Sequence, residues 1–440
     1  MTPAARRDLL KSFYNALPIA AEGGADVSAF YVNRAADNAH DPVLNLHQYV
    51  DWSESGDTYL FSGLRGAGKT TELNRLVSEL NAGGVAAFYC DASQYLNLND
   101  PQLTLAELMM TALAGLSDAV RKRHGTACLA DSIWDRARRV MNSDVVLKPK
   151  FKLGNDSGGI EIEASLQENP DFKQQLNRFA QQSGEFFAAA QQFAKDITEL
   201  IHRHEGEKKV VLVVDSLERL SAPNGEEGKL FDSLKEIFFN NPNQLRFACL
   251  SVVYSAPPYL NAVLPGVNSG FTHALSLPNF KVMQRPAAPG ATPQRNQVGI
   301  DQMVSIIEHR FVRWNEVMSR EVLEHLAWIS GGNVRRYFDL IRHCVSKTAL
   351  GALALPVNAP DAAPVQQAIS AAAEPLQWLT EIDRKWLAIF EHSDVNPAGN
   401  VKDFFQDLPS IIRLFDHSLV LNYQNGSVWY NVPPLVRLYV

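Results

Sequence analysis

The sequence has 440 residues, of which 46% are hydrophobic and 20% are charged, a composition typical of a soluble globular protein with a large core. This length predicts two or three domains. The net charge of −7 argues against binding dominated by nucleic-acid phosphates, and the sequence shows neither an apolar run long enough for a membrane helix nor an N-terminal signal peptide.

The cysteines and histidines give no sign of a metal site. The four cysteines are far apart and form no CxxC pair; they are Cys90, Cys128, Cys249 and Cys344. This spacing indicates a reduced, cytoplasmic protein without a structural zinc ion. We interpret His202 and His204, at the end of a predicted helix, as solvated side chains.

Residues 1–56 predict a helical lead-in, in which we interpret the segment 30–34 (FYVNR) as docking near the ligand of the motif that follows. The next stretch, DTYLFSGLRGAGKTT at 57–71, matches the pattern G-x-x-x-x-G-K-[ST] in full. In such a P-loop the backbone N–H groups surround phosphates, the lysine reaches the β- and γ-phosphates, and the Ser/Thr hydroxyl binds Mg²⁺. The candidate ATP-binding residues are therefore Gly63, Arg65, Gly66, Ala67, Gly68, Lys69, Thr70 and Thr71, with Lys69 also catalytic and Thr70 also a metal ligand.

The surroundings of this motif fit a nucleotide site. Residues 59–61 predict a short apolar strand before the loop, and Gly83-Gly84 ends the helix after it. Apolar residues at helical spacing form one face of that helix; they are Leu73, Leu76, Val77 and Leu80. A strand, a glycine loop and a helix in this order direct a helix N-terminus at a phosphate.

The following region predicts further core elements and an insertion. A second strand is predicted at 85–90 and a helix at 103–120. The alternating pattern around GNDSGG, at 145–166, indicates a β-hairpin, and one apolar face at 170–204 predicts a long helix. We expect the hairpin and the long helix to form an insertion at about 145–205, whose apolar face packs on the core or on a partner.

An acidic residue ends the apolar run at 210–214 (VVLVV). A run of this kind predicts a strand that is buried on both faces of a parallel sheet. Asp215 then lies at the carboxyl edge of the sheet, where ligands bind in open α/β folds. Because a P-loop lies upstream, we predict that Asp215 is a ligand of Mg²⁺ and part of the catalytic set.

The base that would activate water is less clear. Ser216 follows Asp215, and a hydroxyl group accepts a proton poorly at neutral pH. Glu218 is the candidate catalytic base, and the alternative is that it pairs with Arg219 on the surface. The sequence therefore predicts slow hydrolysis or a switch that stays locked on its nucleotide.

Two later segments offer groups that would detect the γ-phosphate. Ser255 follows a predicted strand at 246–253 and either senses the phosphate or has no role. In GGNVRR, at 331–336, Arg335 and Arg336 begin a predicted helix after a glycine turn. A guanidinium there reaches the γ-phosphate, or both arginines are solvated.

The C-terminal third predicts two further domains. A Pro/Gly-rich connection at 282–299 precedes two predicted helices, near 301–313 and 319–329. The last 65 residues predict helices and then a hairpin that turns at Asn425-Gly426. The predicted domains are a lead-in at 1–56, a nucleotide core at 57–281, a helical lid at 300–365 and a C-terminal domain at 376–440.

Together these residues resemble AAA+ and STAND-type P-loop ATPases, including origin-recognition initiators and KAP-like NTPases. GLRGAGKTT resembles the Walker A motif, VVLVVDSLERL resembles Walker B with Ser216 in place of the usual acid, and GGNVRR resembles sensor 2, which assigns the sensor role to Arg335. The last 65 residues resemble a winged helix. The resemblance covers about 57–440 and implies an α/β fold with an ASCE-type parallel sheet, a helical lid and conformational change driven by ATP.

The leading functional hypothesis is a regulatory switch that binds ATP with Mg²⁺ and controls self-assembly or an effector protein. Many bacterial relatives of this appearance belong to signalling or anti-phage defence systems. The alternative is a DNA-binding ATPase that uses the winged helix. Its candidate recognition helix at 408–417 is mostly apolar, and 376–440 carries more acids than bases, which favours contact with a protein over DNA. A small-molecule kinase would need neither the lid nor the winged helix.

Overall fold

The computed structural model gives two compact units. The residues that the structure describes are 1–18, 30–34, 41–125, 131–144, 164–223, 225–264, 266–286, 288, 291–351, 353–392, 404, 406–425 and 427–438. The first unit comprises Met1–Asp41, Gly63–Thr71 and Leu277–Val440, and the second comprises Pro42–Ser62 and Glu72–Ser276.

Helices outnumber strands in the part of the chain that the structure describes. The helices are α1 Pro3–Asn15, α2 Pro42–Trp52, α3 Lys69–Ala82, α4 Leu105–His124, α5 Ile133–Val140, α6 Pro170–Gln182, α7 Glu185–Glu205, α8 Glu227–Lys235, α9 Pro258–Val263, α10 Gln297–Arg310, α11 Arg320–Ser330, α12 Val334–Leu350, α13 Ala363–Ala373, α14 Glu381–His392, α15 Leu408–Asp416 and α16 Pro434–Arg437. The strands are β1 Thr58–Gly63, β2 Ala86–Asp91, β3 Val210–Asp215, β4 Ser251–Ala256, β5 His273–Leu277, β6 Leu421–Asn425 and β7 Ser427–Asn431.

A five-stranded parallel sheet with the order β2-β3-β4-β1-β5 organises the second unit. Strands β1, β3 and β4 are interior strands of this sheet and are buried along their whole length, as is typical of apolar runs in a parallel sheet. Strand β4 separates β1 from β3, so the strand that leads into the P-loop does not pair with the strand that ends in Asp215. The sheet confirms the predicted α/β fold class.

The prediction of one long helix at 170–204 is wrong in one respect, because the structure has two helices there, α6 and α7. Ser183 adopts extended backbone angles, with φ −140° and ψ 136°, and Gly184 precedes α7. Glycine is a poor helix former, so a Ser-Gly pair ends α6 even though the apolar periodicity continues. The predicted hairpin lies almost entirely at 145–163, outside the described residues.

The predicted strand at 246–253 begins later in the structure. Residues 246–250 form a turn in which Phe247 bridges to Leu250. The strand β4 pairs with β1 on one side and with β3 on the other. Pairing on both sides sets its bounds, and an apolar run by itself does not specify that pairing. Ser255 therefore lies within a strand and not after it.

The C-terminal part of the first unit contains the predicted hairpin. Strands β6 and β7 are antiparallel, and Asn425 is in register with Ser427 across the turn; Gly426 itself lies outside the described residues. Helices α14 and α15 pack on the hairpin through aromatic rings, with Phe390 in edge contact with Phe415 and Tyr430. In the described parts of the chain, no helix has the length and apolar character needed to cross a membrane.

Candidate nucleotide-binding site

The P-loop has the backbone that its sequence predicts. Helix α3 begins at Lys69, directly after the loop that follows β1. Gly66 and Gly68 have φ angles of +78° and +95°, a region in which side chains other than glycine are strained. The N-terminus of a helix of this length presents backbone N–H groups to an anion.

Lys69 is held inside the loop, where its side chain is only 3% exposed. Its Nζ donates hydrogen bonds to the carbonyl oxygens of Gly63 at 2.7 Å and of Leu64 at 3.0 Å. Thr70 follows in the first turn of α3 and is partly exposed. The ammonium and the hydroxyl group that the motif requires are therefore both carried by the first turn of this helix.

The start of helix α12 lies directly on the P-loop. Asn333 donates from Nδ2 to the carbonyl oxygen of Arg65 at 2.8 Å. The backbone N–H of Arg335 donates to the carbonyl oxygen of Gly66 at 3.3 Å. A Cβ added at Gly66 would lie 2.6 Å from the Arg335 Cβ and 2.6 Å from the Asn333 Oδ1. Only a glycine at position 66 therefore permits this approach.

Two other segments of the first unit also bind P-loop carbonyl groups. Arg34 donates to the carbonyl oxygens of Ala67 and Pro278, each at 2.8 Å, and its guanidinium lies over the ring of Phe280. The Ser418 hydroxyl, in the turn after α15, donates to the carbonyl oxygen of Arg65 at 3.2 Å. The segment at 30–34 thus lies beside the P-loop.

The two arginines of GGNVRR have different surroundings. Arg335 is exposed beside Gly66. Arg336 donates to the backbone carbonyl oxygens of Ser418 at 2.9 Å and of His417 at 3.3 Å. Burial lowers the pKa of Arg336 to about 10, so it remains charged at neutral pH. Arg336 thus joins α12 to the C-terminal turn, while the side chain of Arg335 lies next to the loop.

A group of buried asparagines extends from the P-loop to the C-terminal hairpin. Asn279, Asn333 and Asn422 are each 2% exposed. Asn279 donates from Nδ2 to the Asn422 Oδ1 at 3.0 Å and accepts from the Asn333 Nδ2 at 3.5 Å. Asn333 also contacts the P-loop, so hydrogen bonds connect that loop to strand β6. We call these three residues the asparagine relay.

In the second unit, Asp215 is fully buried at the end of β3. Its Oδ2 accepts a hydrogen bond of 2.8 Å from the phenol of Tyr89 on the neighbouring strand β2. Burial and the nearby Asp215 carboxylate raise the pKa of Tyr89 well above its usual range, so this phenol stays protonated. The sequence motifs did not predict a role for Tyr89.

The turn after Asp215 is shaped by Ser255. Ser216 has a left-handed φ of +73°, and Leu217–Arg219 form a short 3₁₀ turn. The Ser255 Oγ accepts a hydrogen bond of 2.9 Å from the backbone N–H of Leu217. Glu218 is 5% exposed in this turn, whereas the neighbouring Arg219 is exposed.

The predicted site residues thus fall into two groups. The P-loop residues and Arg335 belong to the first unit, while Asp215, Glu218 and Ser255 belong to the second. Thr70 in the first unit and Asp215 in the second each carry a hard oxygen donor, the kind of group that Mg²⁺ prefers. Period-2 alternation in β2 places Tyr89 and Asp91 on one face, but only the strand order shows that this face adjoins Asp215.

Comparisons with known proteins give similarity of fold only. No protein-family model matches the chain, and neither does any curated protein. Among solved structures, the chain is similar to the Aeropyrum pernix ORC2 protein in ADPNP-ADP complexes, at 15% identity and a TM-score of 0.39 over 94% of this chain and 97% of that chain. It is also similar to the Thermotoga maritima RuvB Holliday junction branch migration motor, at 14% identity and a TM-score of 0.33 over 95% of each chain.

Proposed function

We propose that this protein is an ATP-binding regulatory switch of the AAA+ or STAND type that hydrolyses ATP slowly. The supporting observation is the set of contacts on the P-loop, whose backbone carbonyl groups accept hydrogen bonds from the start of α12 and from the C-terminal turn. A nucleotide held by this loop would act on both segments directly.

In this proposal each residue has a separate role. Lys69 donates to the phosphates, Thr70 and Asp215 hold Mg²⁺ or its water ligands, and Arg335 detects the γ-phosphate. Mg²⁺, when bound, supplies positive charge that neutralises phosphate oxygens. The backbone N–H groups of the P-loop, from Gly63 to Thr71, orient the phosphate chain.

Slow hydrolysis follows from the turn after Asp215. Ser216 replaces the acid that would accept a proton from water, and its left-handed backbone directs the chain into the turn that carries Glu218. Glu218 is then the remaining carboxylate of this turn that can act as a base. A switch that turns over slowly keeps its nucleotide state long enough to recruit a partner.

The asparagine relay gives the switch a mechanical connection within the first unit. Movement of the P-loop at Arg65 would displace Asn333 and, through Asn279, the strand that carries Asn422. A ligand shifts such an equilibrium only by its different affinities for the two states. The output in this proposal is assembly of the cytoplasmic protein with itself or with an effector, as in signalling or anti-phage defence.

The DNA-binding alternative receives less support. Helix α15 corresponds to the candidate recognition helix, and most of its nine residues are buried, including Ile411, Ile412 and Phe415. Its arginine, Arg413, donates to Asp383 at 3.2 Å. A helix that reads DNA exposes several basic side chains to phosphates and base edges, so the winged-helix region in our proposal contacts protein.

Solution scattering and mass measurement with ATP, with ADP and without nucleotide would test the switch. We expect the ATP state of the wild type to be more compact or more assembled than the other two. Arg335→Ala should keep much of the ATP affinity and lose this response. Arg313→Ala is the matched control, because Arg313 is an exposed arginine of the same unit that pairs with Glu316.

Three identical wild-type profiles would refute the switch and leave a static protein stabilised by ATP. An equal loss of response in Arg335→Ala and Arg313→Ala would remove the sensor role of Arg335. A gel shift with duplex DNA that weakens with salt would support the DNA-binding alternative instead.

A further inference from the structure

Asp215 accepts a hydrogen bond from a side chain on the neighbouring strand. Strands β2 and β3 pair in register, with Tyr89 opposite Val213 and Asp91 opposite Asp215. Partners in register project to the same face of a sheet, and the long Tyr89 side chain reaches forward to the Asp215 Oδ2 at 2.8 Å. No other hydrogen bond of the Tyr89 phenol accompanies this one in the described residues.

We propose that Tyr89 is a positioning residue for Asp215, fixing the orientation of that carboxylate toward the hydrated Mg²⁺ that accompanies ATP. This inference rests on the proposed function, because it assigns a further residue to the same site. The phenol is a neutral donor, so it restrains one carboxylate oxygen without cancelling the negative charge. The Asp215 carboxylate thereby keeps one orientation in which it would hold Mg²⁺ or its water ligands.

The expected size of the effect comes from the behaviour of such supporting groups. Hydrogen bonds that orient metal ligands typically change metal affinity by about 10–100-fold when they are removed. Tyr89→Phe deletes only the hydroxyl group and leaves the aromatic ring in place. We therefore expect Tyr89→Phe to weaken binding of Mg²⁺-ATP by about tenfold and to leave binding of ATP in EDTA unchanged.

The second unit contains a matched control for this substitution. Tyr95 donates from its phenol to the Asp118 Oδ2 at 2.7 Å, and both residues are buried. Tyr95→Phe removes a hydrogen bond of the same kind, from a tyrosine to a buried aspartate other than Asp215. It should lower the stability of the fold and leave the ratio of the two ATP affinities at the wild-type value.

The experiment is calorimetry of ATP binding to the full chain, with Mg²⁺ and with EDTA, for the wild type, Tyr89→Phe, Tyr95→Phe, Asp215→Asn and the double variant Tyr89→Phe/Asp215→Asn. Support requires a loss that is specific to Mg²⁺ in Tyr89→Phe and no further loss when this change is added to Asp215→Asn. These two results together would show that Tyr89 affects the binding of Mg²⁺-ATP through Asp215.

Three results would overturn the inference. One is an equal loss of affinity with and without Mg²⁺ in Tyr89→Phe, another is a Mg²⁺ dependence equal to that of Tyr95→Phe, and the third is additive losses in the double variant. In each case the wild type still binds Mg²⁺-ATP and the proposed function stands. A wild type that binds no ATP under either condition would instead overturn the proposed function, and this inference with it.

Discussion

Replacing Gly66 by alanine tests whether α12 lies on the P-loop in solution. Gly66 precedes helix α3, and Gly84 follows it shortly after its end. Both glycines have left-handed φ angles, +78° at Gly66 and +88° at Gly84. They differ in their surroundings, because a Cβ at Gly84 would meet nothing within 4 Å, whereas one at Gly66 would lie 2.6 Å from Asn333 and from Arg335.

The structure predicts a larger loss of stability at Gly66. The left-handed conformation costs an alanine about 1–2 kcal/mol, which applies to both variants. At Gly66 the new methyl group must also push away the start of α12, which breaks the hydrogen bonds from Asn333 to Arg65 and from Arg335 to Gly66. Each such bond contributes about 0.5–1.5 kcal/mol, so Gly66→Ala should lose about 1–3 kcal/mol more than Gly84→Ala.

Urea unfolding followed by circular dichroism measures both variants against the wild type. A double-mutant cycle adds Asn333→Ala, which removes one of the two clashing groups and should reduce the cost of Gly66→Ala. Equal losses for Gly66→Ala and Gly84→Ala, together with no coupling to Asn333, would refute the contact between α12 and the P-loop. The proposed path from nucleotide to C-terminal hairpin would then have no starting point.

Three other substitutions test the remaining groups. Lys69→Ala should weaken Mg²⁺-ATP binding by about 1.5–3 kcal/mol, because a charge-assisted hydrogen bond to phosphate is lost; unchanged affinity in calorimetry would contradict the P-loop assignment. Glu218→Gln should reduce steady-state phosphate release while ATP binding persists, and hydrolysis that ignores this change would mean that the base lies elsewhere. Lys173→Met should cost about 3 kcal/mol, because it leaves the buried carboxylate of Glu107 without the Lys173 ammonium 3.1 Å away. Burial already raises the pKa of Glu107 above its unfolded value, so without Lys173 the folded state binds the proton more readily, and stability should fall as pH rises. Urea unfolding should therefore show a larger loss at pH 8 than at pH 5, and a loss independent of pH would contradict this account.

Local sequence patterns predicted the elements that carry the chemistry. The P-loop motif, the VVLVV run and the Asn-Gly turn each depend on a few neighbouring residues, and the structure contains the corresponding loop, strand β3 and hairpin. Apolar periodicity failed at Ser183-Gly184, where a local break interrupts a continuous face, and at 246–250, where pairing decides the start of β4. Periodicity reports which side of an element is buried, and it reports less about where that element ends.

The sequence by itself determined the P-loop, the acidic end of a central strand and the α/β class, because these follow from backbone preferences and burial patterns within short segments. Only the tertiary structure decided that Tyr89 contacts Asp215, that the asparagine relay forms and that α15 is buried. Each of these depends on residues far apart in the chain. A buried phenol or carboxamide needs some partner, and many side chains can satisfy that need equally well. Strand order and helix packing select the partner, and no local pattern records that choice.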